Sequence, residues 1–414
     1  MQTPDHSPEP TPADPGIPER VKTTKVAVIG AGPAGLTVAN LLRKAGVECI
    51  VLERHTREYI QTRPRAGMIE HRVVEMLRKY GLADRLLRMG DTHGACEFRF
   101  GGRRHLINYA ELYGGRQHYI YPQQELVTDL VDAFLAAGGD LRFHASEVEL
   151  HDLDGSRPTV TYTDETTGER HRIECEFVAG CDGFHGVSRQ SIPAGEITEH
   201  SYQHGIGWLA VLAEAPPSTR YLIYASHPDG FAGHMLRTPT VSRFYLQCPV
   251  EDSVGNWPDE RVWAELRKRF AVTDSDWQLS EGPIIEKRVL DMRSHVTEPM
   301  RYGRLYLAGD AAHIITPVGA KGMNLAMHDA ERLAEALVAH LGEGRSDLLD
   351  TYSQTCLRRV WRCQEFSRWM TEMVHAPAEG SGSFRARLAQ ARLEHLLTSP
   401  SYATSFAENY LGLD

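Results

Sequence analysis

Polar and apolar positions divide this chain into three regimes. Residues 25–29 form a short β-branched run (Val26, Val28, Ile29), residues 36–44 carry Leu36, Ala39 and Leu42 on one helical face, and residues 47–52 form a second apolar run ending at Glu53. This strand–helix–strand pattern continues to about Pro193 and predicts a nucleotide-binding domain over 23–198, completed by 301–345. Residues 199–300 change character. Runs at 207–212, 220–224 and 242–247 alternate as antiparallel strands do, between Pro- and Gly-containing turns, and predict a substrate-binding sheet. From 346 to 414 the period is helical, with a basic-aromatic stripe (Arg358, Arg359, Trp361, Arg362, Phe366, Trp369) read as a subunit interface and the segment as active-site closure. Residues 1–22, with six prolines and almost no apolar side chains, are expected to be disordered. The fold class is therefore α/β (α+β overall): a Rossmann-type domain, an antiparallel sheet and a helical C-terminal region.

Three glycine- and aspartate-containing motifs follow apolar strands. Gly30-Ala31-Gly32-Pro33-Ala34-Gly35 opens the first helix, with Gly30 for the tight turn, Gly32 for close backbone approach to a pyrophosphate and Gly35 for helix–strand packing. Gly30, Gly32, Ala34 and Gly35 are thus candidate cofactor contacts, and the helix start offers N–H groups to phosphates. Glu53 is placed to accept bonds from ribose hydroxyls. Cys181-Asp182-Gly183 and Ala308-Gly309-Asp310-Ala311-Ala312-His313 put Asp182 and Asp310 at strand ends, where ligand hydroxyls meet a sheet. A further helix begins after Pro317-Val318-Gly319-Ala320-Lys321-Gly322-Met323-Asn324, and its N–H groups together with Lys321 would stabilise the negative charge of a reduced flavin. One motif alone is a weak signal; the three in this order specify FAD.

From about Lys25 to its last residues the chain resembles the para-hydroxybenzoate hydroxylase family of single-component FAD-dependent aromatic monooxygenases. The most specific words are Ala179-Gly180-Cys181-Asp182-Gly183-Phe184-His185-Gly186, Ser188-Arg189-Gln190-Ser191-Ile192-Pro193, Gly309-Asp310-Ala311-Ala312-His313 and Glu408-Asn409-Tyr410. The resemblance implies that NADPH or NADH reduces the flavin, that O2 is captured as a C4a-hydroperoxide, and that an electron-rich phenol is attacked. A free phenol is only about one per cent ionised at pH 8, so a site that favours the phenolate gains reactivity. At positions matching the family's proton relay stand Tyr224, Tyr410 and His93, with Pro317 matching the residue whose carbonyl faces the substrate hydroxyl. Arg237 matches the carboxylate-binding arginine, whose planar fork suits bidentate pairing; Tyr245 matches its supporting hydroxyl. Arg243 matches an arginine that touches the flavin, and Arg65 and Gln123 match further FAD contacts. Gly322, Met323 and Asn324 stand with Lys321 at the ring. His185 and Arg293 match residues used for the pyridine nucleotide, while Arg54 and His55 lie where its 2′-phosphate is discriminated. A homodimer is implied too.

Departures from the family pattern surround the substrate. Met235 replaces a serine that bonds the carboxylate, and a thioether cannot donate. Val318 replaces a threonine and Thr316 a proline; away from the substrate, at the pyridine nucleotide, His55 replaces a glutamine. Three changes around one small ligand suggest a ring-substituted acid such as 3-amino-4-hydroxybenzoate, hydroxylated ortho to the carboxylate. The alternative is plain 4-hydroxybenzoate 3-hydroxylation giving 3,4-dihydroxybenzoate.

Composition trims the remaining possibilities. A net charge of −10 without a long basic run speaks against nucleic acid. No run reaches the roughly 18 apolar residues needed to span a bilayer. Seven cysteines without a CxxC pair point to free thiols in a reducing, cytoplasmic setting, and to no metal site. No tryptophan pair forms the Trp-x-Trp of flavin halogenases, and the missing CxxC and second dinucleotide fold oppose a disulfide reductase. A non-hydroxylating FAD oxidoreductase or FAD-binding protein would have no need of the phenol relay.

Overall fold

A computed structural model describes residues 20–65, 67–380 and 382–413. Its organising element is a six-stranded sheet in the order Arg301–Tyr302, Leu305–Leu307, Phe177–Gly180, Val26–Ile29, Cys49–Leu52, Asp140–Arg142. All neighbours pair in parallel except the first two. The four residues of Val26–Ile29 are buried, as a strand covered on both faces requires. From this strand the chain steps to Cys49–Leu52 on one side and later to Phe177–Gly180 on the other. That reversal is the switch point at which open α/β sheets bind ligands, outside the carboxyl ends of the strands. Gly30, Glu53, Asp182 and Gly309 all emerge there.

The first helix, Pro33–Lys44, starts with Pro33 at its first position and buries Leu36, Ala39 and Leu42. Two glycines are obligatory at this turn. Gly30 has φ +98°, and a Cβ there would lie 2.5 Å from the Cys181 carbonyl oxygen. A Cβ on Gly35 would lie 2.0 Å from the Gly30 carbonyl oxygen, so helix and strand touch backbone to backbone.

An eight-stranded sheet forms the second layer: His313–Ile314, Ile284–Glu298, Thr198–Ala213, Val241–Cys248, Ala232–Thr238, Leu222–Ala225, Cys96–Phe100, Arg103–Ile107. It is antiparallel except where Leu222–Ala225 pairs in parallel with Cys96–Phe100. Residues 96–107, assigned by sequence to the nucleotide-binding domain, therefore belong to this eight-stranded sheet. Two smaller sheets also interrupt the expected βα alternation before Pro193. One contains Ala145–His151, Thr159–Asp164 and Arg170–Glu174; the other joins Met68–Ile69, His118–Ile120 and Asp91–His93.

The proline-rich start needs a boundary correction. Residues 20–22 are part of the strand Arg20–Thr23, which pairs in parallel with Arg170–Glu174; ladder hydrogen bonds order a segment whose composition alone would not. Residues 1–19 lie outside the described residues.

After the long helix Gly322–Glu343, the C-terminal region 346–414 carries the helices Asp347–Val374, Phe384–Thr398 and Pro400–Leu411. Its basic-aromatic stripe is not one outward face. Arg359 and Phe366 are buried within the chain, whereas Arg358 and Trp361 are exposed. All seven cysteines are free and buried. Among the described residues no helix is long and apolar enough to cross a membrane, and no cluster of His, Cys, Asp and Glu could hold a metal.

Candidate active site

The groove at the switch point brings the three motifs together. A Cβ built on Gly309 would lie 2.9 Å from the Ala326 Cβ and 3.5 Å from the Ala34 Cβ, so the third motif, the helix Gly322–Glu343 and the first helix meet there. Asp329 fastens this junction: its Oδ2 accepts from the Gly309 N–H at 3.0 Å and lies 2.6 Å from His313 Nε2. Glu53 is buried, and its carboxylate accepts from the Ala31 N–H and the His55 N–H, each at 2.9 Å. Each oxygen keeps a second lone pair direction for a ligand hydroxyl's proton. Asp182 accepts from the Ser188 N–H at 2.9 Å through Oδ2, while its Oδ1 is buried without a partner. Asp310 keeps solvent access; desolvation nevertheless raises its carboxyl, opposed by His313 and Arg65.

These features fit FAD. Gly32 has open space where a Cβ would point, the first-helix N–H groups lack a side-chain cap, and Asp182 offers an unsatisfied acceptor. Arg65 senses Asp310 electrostatically and is exposed beside it, as an FAD contact between the two would require. Gln123 is half-buried at the first position of the helix Gln123–Ala136. At the expected ring position, the turn Pro317–Gly319 leads through Ala320 (φ +53°) into Gly322–Glu343, whose N-terminus also has no side-chain cap.

Lys321 does not sit as the sequence suggested. Its ammonium is almost fully buried, donating to Glu70 Oε1 at 2.7 Å and to the Tyr410 carbonyl oxygen at 2.6 Å. Its charge is therefore matched by Glu70 and directed at the C-terminal helix. Arg359 completes the cluster, donating to Glu70 Oε2 at 3.0 Å and to the Gly412 carbonyl at 2.8 Å. Asn324 is likewise engaged, accepting from the Glu70 N–H and donating to the Met68 carbonyl. Gly322 and Met323 are half-buried, whereas Lys321 and Asn324 are buried.

A small cleft adjoins this groove, lined by Met235, Arg237, Arg243 and Tyr245 together with Met68 and Ile120. Arg237 and Arg243 have no carboxylate partner among the described residues. Arg237 donates to the Arg65 carbonyl oxygen and, at 3.3 Å, to Gln124 Oε1. Burial and the neighbouring Arg243 push its guanidinium down to about 10. The Nε of Arg243 is buried with no hydrogen-bond acceptor. Two cations and an orphan donor at one cleft call for an anionic ligand. The Tyr245 ring packs against Trp208, centroids 4.5 Å apart.

Beside the cleft the Tyr224 and Tyr410 hydroxyls meet at 2.8 Å. Both side chains are buried, and desolvation pushes both phenols above their ordinary range. Neither therefore ionises on its own near neutrality; the pair can only pass a proton along. Tyr224 also donates, at 3.3 Å, to the Val318 carbonyl oxygen. Pro317, expected to present a carbonyl, has it engaged by the Ala320 N–H at 3.0 Å. His93 does not join the tyrosines directly. Its buried Nε2 has no hydrogen-bond partner, stands 3.4 Å from Asp91 Oδ2, and burial lowers its pKa.

Of the residues expected to meet the pyridine nucleotide, His185 and Arg293 converge on Phe184. The His185 ring stands edge-on at 5.1 Å and the Arg293 guanidinium lies 4.4 Å above the ring. Arg54 is exposed and donates through Nε to His55 Nε2 at 3.1 Å; His55 packs on Tyr59. Sequence reasoning missed Met68, Ile120 and Glu70, which sit in or beside the short three-stranded sheet and have no motif around them.

Residues 23–367 match the family model described as an FAD binding domain. The p-hydroxybenzoate hydroxylase of Acinetobacter baylyi is 42% identical over 390 residues, covering 94% of this chain and 95% of that protein. The crystal structure of p-nitrophenol 4-monooxygenase from Pseudomonas putida superposes with a TM-score of 0.77 at 23% identity, over 94% of this chain and 99% of that one. A Diels-Alderase of pyrroindomycin biosynthesis superposes at 0.72 with 22% identity, over 94% and 81%. Fold likeness at that level leaves the chemistry to the site.

Proposed function

The chain belongs to the FAD-dependent aromatic monooxygenases of the p-hydroxybenzoate hydroxylase type, and from that premise we propose that its substrate is a ring-substituted 4-hydroxybenzoate, of which 3-amino-4-hydroxybenzoate is the example, hydroxylated ortho to the carboxylate. It is an enzyme that uses FAD, NAD(P)H and O2. FAD, when bound, activates dioxygen and delivers one of its atoms to the ring. The protein's own residues bind, orient and deprotonate the acid.

The observation that carries this reading is the cleft itself: carboxylate-free Arg237 and Arg243 line it, with the Tyr224–Tyr410 pair beside it. In this reading Arg237 takes the carboxylate, Tyr245 supports it, and Tyr224 turns from the Val318 carbonyl to the substrate's phenol. Tyr410 then accepts the relayed proton, and His93 exchanges it with solvent. Gly30, Gly32, Ala34, Gly35, Glu53, Asp182, Gly309 and Asp310 hold the cofactor, with Arg65, Gln123 and Arg243 nearer the ring; His185, Arg293, Arg54 and His55 meet the nucleotide. A homodimer in the cytoplasm is part of the same proposal.

Substrate choice rests on Met235 and Val318. Met235 lines the cleft where a hydroxyl donor would add a carboxylate bond, and Val318 is buried with Tyr224 and Tyr245 in one cluster. Thr316 contributes less than expected, because its hydroxyl is 3.2 Å from Thr371 Oγ1 and it is fully buried. The identity to the Acinetobacter enzyme favours a second reading, plain 4-hydroxybenzoate. Comparison of kcat/KM for the two acids, with product identification, separates them. The 3-amino acid is expected to be preferred about tenfold, and Met235→Ser to shift preference toward 4-hydroxybenzoate by about fivefold, one added hydrogen bond being worth about 1 kcal/mol. Faster, fully coupled 3-hydroxylation of 4-hydroxybenzoate by the parent enzyme would exclude the substituted substrate.

A further inference from the structure

Tyr410 lies one residue from the end of its helix, Pro400–Leu411. Carbonyls in the last turn of a helix have no intrahelical partner and must find one elsewhere. Here the Tyr410 carbonyl has two donors. One is Lys321 at 2.6 Å; the other is His118, whose Nε2 stands 3.0 Å away. His118 is fully buried, and its Nδ1 lies 3.3 Å from the Tyr109 hydroxyl. Tyr109, also fully buried, donates to the His93 carbonyl oxygen at 2.7 Å. The Tyr109 and His118 rings stand edge-on to the Tyr410 ring, with centroids 5.1 and 5.0 Å away. These contacts hold both the backbone and the ring of Tyr410.

We propose that His118, packed edge-on against Tyr109, is a positioning residue for the Tyr410 hydroxyl: it caps a buried carbonyl that has no partner within its own helix and fixes the ring that meets Tyr224. The proposal rests on the reading that Tyr410 relays the substrate's proton. Because a carbonyl only accepts, Nε2 must carry the imidazole proton, and Nδ1, at 3.3 Å, can only share as a second acceptor the one Tyr109 proton that the His93 carbonyl takes at 2.7 Å. The charged or titratable groups around this corner are Lys321 with its partner Glu70, His93, Tyr109 and Tyr224. Burial, with Lys321 adding to it, pushes His118 down to about 3, so the cap stays neutral and unchanged across the working range. The cap matters because a misplacement of about 1 Å in a reacting group can cost on the order of a hundredfold in rate.

The test titrates bound 4-hydroxybenzoate in the FAD-loaded enzyme, following phenolate absorbance against pH, with peroxide and product measured in parallel. His118→Leu is expected to raise the ionisation midpoint by about one pH unit, a tenfold loss of phenolate at fixed pH, and to divert reducing equivalents to peroxide. His118→Gln, which keeps an N–H donor at the same reach, is expected to restore most of the parent behaviour. Tyr109→Phe, which keeps the packing, is expected to shift the midpoint in the same direction by less. Parent-like titration in His118→Leu alongside a shifted Tyr410→Phe would overturn the proposal, as would a His118→Gln variant no better than leucine. Parent-like titration in Tyr410→Phe would remove the relay reading and the proposal together. If His118→Leu loses FAD, the Tyr109→Phe midpoint decides: parent-like ionisation there overturns the proposal.

Discussion

Tyr224→Phe is expected to stay yellow, bind the aromatic acid with near-parental affinity, and hydroxylate it about a hundredfold more slowly, with peroxide replacing product. The expectation follows from where the hydroxyl sits. It is 2.8 Å from the Tyr410 hydroxyl and 3.3 Å from the Val318 carbonyl, and it takes no part in the carboxylate wall of the cleft. Removing one oxygen atom leaves the ring in its stack on Phe98, so binding and fold change little. What disappears is the route by which the substrate's proton reaches Tyr410. Since burial keeps both tyrosines protonated, neither can replace that route by ionising. Unchanged product yield per nucleotide oxidised would remove Tyr224 from the chemistry.

Arg237→Ala is expected to weaken binding of the acid by about 2–4 kcal/mol, roughly thirty- to a thousandfold in Kd, with hydroxylation per bound substrate less affected. Arg237→Lys should fall between, because the ammonium keeps the charge but not the planar two-point fork. The free protein already shows the cost that the ligand relieves: Arg237 is crowded by Arg243, its guanidinium is pushed below its ordinary range, and its hydrogen bonds go to a carbonyl and an amide. A carboxylate on Arg237 offsets that repulsion. Normal affinity in both variants, measured by flavin absorbance on ligand titration, would move the carboxylate site elsewhere.

The parts of this site that could be read from sequence are those where local backbone geometry restricts the residue. Gly30 must take φ +98° beside the Cys181 carbonyl, and Gly35 must admit the Gly30 carbonyl, so their spacing shows in the chain itself. The strands preceding Asp182 and Asp310 are short apolar runs and equally visible. Contacts between distant segments were not. Glu70, Lys321 and Arg359 form one buried cluster from three elements with no shared period, and nothing local told that Lys321 would turn toward Glu70 instead of a flavin. Cys96–Phe100 reads as a strand anywhere, but only its pairing with Leu222–Ala225 assigns it to the eight-stranded sheet. His118 and Met68 became relevant only when the terminal helix was seen folded over them.

The central claim is that this groove and cleft hold a flavin and a phenolic acid in register for transfer of a single oxygen atom. Turnover under isotopically labelled dioxygen tests it most directly, using FAD-loaded protein, NAD(P)H and the two candidate acids. The account predicts acid-stimulated nucleotide oxidation, with one labelled oxygen in the phenolic product for each nucleotide consumed. Nucleotide oxidation that yields only peroxide, with no label entering either acid, would contradict it.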